Sequence, residues 1–78
     1  MNITEAFYEN KGKVIVWYPF HLGGSIHDRG LWCAEKDREV LDYHNKRHLI
    51  NTYLSRGESV IVLTLHRDGS VSVQDVSQ

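Results

Sequence analysis

The residues of this chain best suited to chemistry are four potential metal ligands in the order His27, Cys33, His44 and His48. Five histidines in 78 residues raise the question of metal binding, because neutral imidazole is the commonest metal ligand in proteins. His44 and His48 are four positions apart, so on a helix they share one face and can hold zinc from consecutive turns. The spacing indicates a candidate zinc site, with His27 and Cys33 supplied by the preceding loop.

The pattern His-x5-Cys-x10-His-x3-His is similar to zinc fingers in its helical histidine pair. It has one thiolate where those domains have two, and the separation before the helical pair is shorter than their ~12 residues. The other interpretation places His44 and His48 on a solvated helix flank beside Leu41 and Thr52. We favour this second interpretation and predict neither a bound metal nor a cofactor.

The polar, glycine-punctuated loop from His21 to Gly30 offers another chemical hypothesis. Ser25, His27 and Asp28 supply a nucleophile, a base and a carboxylate for a minor hydrolase. In known triads the partners converge from separate elements, whereas neighbouring residues of an extended loop point in different directions. We therefore interpret the loop as a contact surface and predict that the chain is not an enzyme.

The stretch from Asp37 to Gly57 is the longest helical pattern in the sequence. At ~100° per residue, five apolar side chains fall on one stripe that is expected to face a sheet. They are Val40, Tyr43, Ile50, Tyr53 and Leu54. Gly57 stands where a helix commonly ends with a left-handed residue. The pattern predicts one long helix over this range.

Strand signals precede this helix. Residues Lys13 to Phe20 are β-branched or aromatic on both alternating sets, which predicts a strand that is buried on both faces. Leu31 to Cys33 can add a second short strand. The first ten residues suit either a short helix capped by Asn2 or Thr4, which we favour, or a strand that leads into a hairpin loop.

A C-terminal β-hairpin is predicted from Glu58 to His66 and from Ser70 to Val76. A two-residue turn would mix polar and apolar side chains on each face, whereas a three-residue turn that contains Gly69 gives one apolar face. Its inward pairs are Leu65 with Val71 and Leu63 with Val73, and Val60, Val62 and Thr64 point outward.

These elements predict a single α+β domain over residues 1–78, with a three- or four-stranded, mainly antiparallel sheet and one long helix on one face. The order is ββαββ if Leu31 to Cys33 pairs. Without that strand, the first strand and the one at Glu58 are joined by a right-handed βαβ crossover. The second face of the sheet is covered either by the N-terminal segment and the loop or by another chain.

Composition narrows the class of partner. Hydrophobic residues make up 41% of the chain and charged residues 24%, and the formal net charge of -1 lacks the basic excess that binds nucleic acid. No apolar stretch approaches the ~20 residues of a membrane span. The single Cys33 excludes an internal disulfide, so we expect a reducing, cytoplasmic location.

We therefore predict a non-enzymatic module that binds a protein partner and forms a homodimer through its sheet. In size and lack of catalytic motifs it is similar to the small inhibitors that phages and mobile elements direct at host machinery, such as anti-CRISPR proteins. The expected contact residues lie on the loop and on the exposed helix face. They are His21, His27, Asp28, Arg29 and Trp32 on the loop, and Arg38 and Asp42 on the helix.

Overall fold

The computed structural model describes residues 1–19 and 30–77. Within these ranges the chain is a small α+β domain with a five-stranded mixed sheet and a helix on each face. Its elements are α1 (Ile3–Glu9), β1 (Val14–Trp17), β2 (Trp32–Lys36), β3 (Glu39–His44), α2 (Lys46–Ser55), β4 (Val60–Leu65) and β5 (Val71–Asp75). The predicted α+β class is confirmed. The expected three or four strands and single helix are wrong in detail.

The strand order is β3-β2-β1-β4-β5. Strand β2 extends the short strand predicted at Leu31 to Cys33, and it pairs antiparallel with both β1 and β3. Strand β1 also pairs in parallel with β4, from Val14 beside Val60 to Trp17 beside Leu63. The extra strand and the parallel crossover, derived from the sequence as alternatives, are therefore both present.

The predicted N-terminal helix is confirmed as α1, and of the two candidate caps, Asn2 and Thr4, it is Asn2 that begins the helix with a capping box. The Asn2 side chain accepts a hydrogen bond from the Glu5 N–H at 2.9 Å, and the Asn2 N–H donates to Glu5 Oε1 at 3.3 Å. These bonds satisfy two amides at the helix start. Ala6 is fully buried against the sheet, and the Phe7 ring meets Trp17 edge-on with centroids 5.2 Å apart.

The single helix predicted from Asp37 to Gly57 is wrong over its first part. Asp37 and Arg38 form a tight turn with φ values of 50° and 71°, and strand β3 follows. Helix α2 begins only after Asn45, whose side chain accepts a hydrogen bond from the His48 N–H at 2.8 Å. An asparagine in this position satisfies an otherwise open amide and fixes the start of the helix.

Only the C-terminal part of the predicted apolar stripe packs on the sheet. Val40 and Tyr43 lie on the edge strand β3 and are 50% and 48% exposed. Leu49 is fully buried, yet it is absent from the predicted stripe because that stripe was phased on Val40 and Tyr43. The confirmed positions are Ile50, Tyr53 and Leu54.

The C-terminal hairpin has the predicted register, with Leu65 opposite Val71 and Leu63 opposite Val73. Gly69 has a φ of 88° in the three-residue turn, and Gly57 has a φ of 82° after the end of α2. The outward orientation predicted for Val60 and Val62 is wrong, since both are buried beneath α2.

Two hydrophobic clusters explain why β1 is apolar on both faces. The cluster under α2 contains Val14, Val16, Ala34, Leu49, Tyr53, Val60 and Val62. The cluster under α1 contains Ala6, Ile15, Ile61, Leu63 and Val71. The second face of the sheet, for which the sequence predicted either the N-terminal segment and the loop or another chain as the cover, is covered by α1 of the N-terminal segment.

Candidate functional site

The two histidines of the candidate zinc site stack on each other instead of converging. His44 ends β3 and His48 lies in the first turn of α2, with ring centroids 3.7 Å apart and ring planes 23° apart. His44 Nδ1 accepts a hydrogen bond from the Asn45 N–H at 2.9 Å. Imidazole lone pairs lie in the ring plane, so two nearly parallel rings direct them side by side and not toward one ion. This is not the geometry of a metal site.

Cys33 lies on the other face of the sheet from these histidines. Trp32 pairs with His44, and neighbouring residues of a strand point to opposite faces. The Cys33 side chain is 2% exposed. Burial, together with the Glu35 carboxylate, raises the pKa of its thiol to about 11, although a hydrogen bond with Trp17 acts in the opposite direction. At neutral pH the thiol is protonated, which does not suit a nucleophile.

Several predicted site residues lie outside the described residues. They are Ser25, His27 and Asp28 of the hydrolase hypothesis, and His21, His27, Asp28 and Arg29 of the contact surface. Both hypotheses remain predictions for that loop. Within the ranges that the structure describes, no group of three or more His, Cys, Asp or Glu side chains could hold a metal ion.

The other three predicted contact residues lie on the β2–β3 hairpin but not together. Trp32 begins β2, where its ring centroid is 5.7 Å from that of Tyr18 and 5.2 Å from Lys46 Nζ. Arg38 is in the turn at the far end of the hairpin, and Asp42 lies between them on β3. The predicted placement of Arg38 and Asp42 on a helix is therefore wrong.

A cleft of about 330 Å³ lies between α1 and the β2–β3 turn. Its apolar wall contains Ile15 at 2% exposure and the rings of Phe7 and Tyr8. The polar part of the lining comes from α1, from the segment after it and from the β2–β3 turn. Its members are Thr4, Asn10, Lys11, Asp37 and Arg38.

A hydrogen bond joins the two sides of this cleft. The Gly12 N–H donates to Asp37 Oδ1 at 2.8 Å, which ties the turn to the connection between α1 and β1. Lys11 Nζ lies 4.6 Å above the Tyr8 ring. Among the described residues the ion pair is Lys36 with Glu58, so neither Lys11 nor Arg38 has a carboxylate partner there. The cleft therefore presents two cations beside an apolar wall.

Strand β3 forms the second exposed feature, because it is the outer strand of the sheet. Val40, Leu41 and Tyr43 are 42–50% exposed along it. Sequence reasoning missed this exposed strand, since it assigned Val40, Leu41 and Tyr43 to a helix. The signal that could have revealed it is a short run with β-branched and aromatic residues that ends at a helix-capping asparagine, Asn45.

Comparison of the chain with protein-family models, with curated proteins and with solved structures finds no match. No helix in the described part of the chain is both long and apolar enough to cross a bilayer.

Proposed function

We propose that this chain is a non-catalytic protein-binding module whose cleft beside the β2–β3 turn receives a side chain of a partner peptide. The observation that supports this function is the pairing of an apolar wall with Lys11 and Arg38, which lack ion-pair partners among the described residues. A volume of about 330 Å³ is at the lower end of the ~300–1,000 Å³ typical of ligand pockets. It suits one aromatic or branched side chain better than a large cofactor.

The lining defines the chemistry of the proposed peptide. Phe7, Tyr8 and Ile15 favour an aromatic or aliphatic side chain. Lys11 and Arg38 favour carboxylates next to it, because a guanidinium group binds a carboxylate through two parallel hydrogen bonds. One oxygen of the Asp37 carboxylate in the lining is already bonded to the Gly12 N–H. The proposed ligand is a segment with an apolar residue flanked by Asp or Glu.

The partner class proposed on size alone is the host machinery that phage and mobile-element inhibitors bind. A target of that class must expose the same kind of acidic and apolar segment to fit the cleft. The cytoplasmic setting of such targets agrees with the single, buried Cys33.

Two matched sets of short peptides test the cleft in a ¹⁵N NMR titration. Each set carries a central aromatic residue, flanked by Asp in one set and by Lys in the other. We expect the acidic set to shift the amides of Tyr8, Lys11 and Arg38. Lys11→Gln and Arg38→Asn should each raise Kd by about fivefold, the upper range for an exposed ion pair. Asparagine is chosen at Arg38 because it tolerates positive φ.

Arg67→Gln is the matched control, since Arg67 is an exposed cation in the β4–β5 turn. It should leave the acidic peptides bound as in the wild type. Equal binding of the acidic and basic sets, or shifts confined to residues away from the cleft, would contradict the proposal. Ester or phosphate-ester hydrolysis that His27→Ala abolishes would establish the hydrolase hypothesis instead.

A further inference from the structure

The outer edge of β3 is the largest apolar exposure on one strand among the described residues. Val40, Leu41 and Tyr43 are 50%, 42% and 48% exposed, and no strand of residues 1–19 or 30–77 pairs with this edge. At the other edge, β5 shows only Val73 at 38%, and its Val71 N–H already donates to the Met1 carbonyl. Sheet edges of this kind pair readily with another strand.

The backbone of β3 has open hydrogen-bonding groups at its start. Lys36 and Glu39 flank the two-residue turn and so form a hydrogen-bonded pair. In an antiparallel ladder such pairs alternate with non-bonded ones. The next residue, Val40, therefore directs its N–H and C=O groups away from β2 and toward the open edge.

A bulge gives the end of β3 the same orientation. Ala34 pairs with Asp42 while the preceding pair ends at Val40, so Leu41 is an extra residue and the alternation shifts by one. Tyr43 then also directs its backbone groups outward. Its N–H indeed donates to Asp42 Oδ1 at 2.8 Å. Val40 and Tyr43 thus both direct their backbone N–H and C=O groups toward the open edge, although they are three positions apart.

We propose that β3 binds β3 of a second copy of this chain, antiparallel, about a two-fold axis between Leu41 and Asp42. Symmetry requires that paired residues have the same backbone phase, and the bulge allows Val40 to pair with Tyr43 of the second copy. In this register every residue of β3, from Glu39 to His44, has a partner in β3 of the second copy. This dimer is independent of the proposed cleft function. No residue of β3 lines the cleft, and the partner is a second copy of the chain.

The side chains in this register are complementary. Val40 faces the Tyr43 ring of the second copy, which is a favourable cross-strand pair. Glu39 faces His44 of the second copy. Because His44 Nδ1 accepts the Asn45 N–H, the neutral ring carries its proton on Nε2 and can donate it to a carboxylate. A register shifted by one would place Val40 opposite Asp42 instead.

One contact opposes the association and gives it a distinctive test. The Asp42 carboxylate accepts the Tyr43 N–H, which is then not free to bind the second copy. In the dimer the Asp42 side chains of the two copies also lie close to the two-fold axis, where their negative charges repel each other. Asp42→Ala removes both effects and should lower Kd for self-association by about fivefold. A tighter dimer in a variant whose circular dichroism matches that of the wild type reports the removed contact and not partial unfolding. Unchanged or weaker association in this variant overturns the proposal.

Sedimentation across protein concentrations from about 10 µM to about 1 mM measures the association. A six-residue strand is smaller than the ~20–30 residues a side of a standard interface, so a weak dimer is expected. Val40→Lys should raise Kd by at least about tenfold, since it removes an apolar contact and buries a charged group at the edge where the strands pair. Val73→Lys on β5 is the matched control and should leave Kd unchanged. A monomer throughout, or a dimer sensitive only to Val73→Lys, overturns the assignment.

A charge exchange tests the register itself. Glu39→Lys and His44→Glu should each weaken the dimer by about two- to fivefold, and the double variant should restore it. Restoration fails if Glu39 and His44 of the two copies do not meet.

Directed cross-linking gives a second measurement of the register. On a Cys33→Ala background, a mixture of the Val40→Cys and Tyr43→Cys proteins should oxidise to a mixed disulfide, since paired Cα atoms ~5.5 Å apart lie within disulfide range. Mixing Val40→Cys with Val73→Cys should give none. Equal cross-linking in both mixtures contradicts the register.

Discussion

The two hairpins at the ends of the sheet differ in how completely the helices cover them. In β4–β5 the four residues from Val60 to Leu63 are buried, with a helix above each face. In β2–β3 the inner strand is buried only at Cys33 and Ala34. The outer strands β3 and β5 are both largely exposed, but β3 exposes three large apolar side chains where β5 exposes only Val73. One hairpin therefore contributes mainly to stability, and the other keeps apolar surface available for binding.

The turns of the two hairpins differ in the same way. The β4–β5 turn places Gly69 at its positive φ, where glycine carries no steric cost. The β2–β3 turn places Asp37 and Arg38 at positive φ, a conformation that costs other residues roughly 1–2 kcal/mol each. Asp37 is held there by its hydrogen bond from the Gly12 N–H, and both residues line the cleft. The less favourable turn thus lies at the candidate site.

The largest expected difference comes from the same truncation in each hairpin. Leu63→Ala should lower the free energy of unfolding by about 2–5 kcal/mol, because Leu63 is 1% exposed and its removal leaves a cavity. Leu41→Ala, at 42% exposure, should cost about 0.5 kcal/mol or less. Urea unfolding followed by circular dichroism at low protein concentration measures both. Similar losses would show that the β3 edge is covered in the single chain.

The free energy of unfolding at alkaline pH should depend on Cys33, which is buried on β2, the inner strand of the β2–β3 hairpin. The Cys33 pKa is about 11 in the fold against an ordinary 9.0, so both states keep the proton below pH 9 and the unfolded state loses it first above that. The free energy of unfolding should therefore fall between pH 9 and pH 11, by roughly 2–3 kcal/mol in total, since one pKa unit corresponds to about 1.4 kcal/mol.

Other groups titrate in the same range, so the matched measurement is the pH profile of Cys33→Ala. The difference between the two profiles isolates the thiol. Parallel profiles from pH 9 to pH 11 would show that Cys33 is accessible to solvent.

The smallest expected effects come from exchanging the turn chemistry. Arg38→Gly should raise the free energy of unfolding by about 0.5–1 kcal/mol, since the relief of left-handed strain exceeds the entropy lost by glycine. Gly69→Ala should lower it by about 1 kcal/mol. An added Cβ at Gly69 meets no atom within 4 Å, so that loss reports the backbone alone. A loss of stability in Arg38→Gly would mean that the arginine side chain stabilises the turn.

The C-terminal hairpin and α1 were predictable because their signals are local. Gly69 marks the turn, alternating apolar residues set the register, and Asn2 caps the helix. The outward faces of the hairpin were not predictable, since they depend on two helices that cover opposite sides. Local pattern therefore gives the elements, and packing decides which of their faces are buried.

The error in β3 has a physical cause. Its bulge places Val40 and Tyr43 on one side of the sheet at a spacing of three, which is also the spacing of a helical face. The Asp37–Arg38 turn lacks the glycine that commonly marks a two-residue hairpin. A bulged strand without a turn signal therefore resembles a helix in sequence.

The candidate cleft was predictable only in part. Arg38 was among the expected contact residues, but for the wrong reason, because it was assigned to a helix. Apart from its neighbour Asp37, the other lining residues come from α1, from the segment after it and from β1, and no local pattern links them to Arg38. Their proximity follows from the order of strands in the sheet.

The parallel pair β1–β4 at the centre of the sheet has a consequence for how the chain folds. It joins the first and last quarters of the sequence, whereas β2–β3 and β4–β5 join near neighbours. Closing so long a loop costs entropy before the contacts repay it, which slows folding. Both hairpins can therefore form early, and the pairing of Val14 with Val60 is expected to complete the rate-limiting step. Until then β1 and β4 each have an open apolar edge, and it is in this interval that the chain is most prone to aggregation.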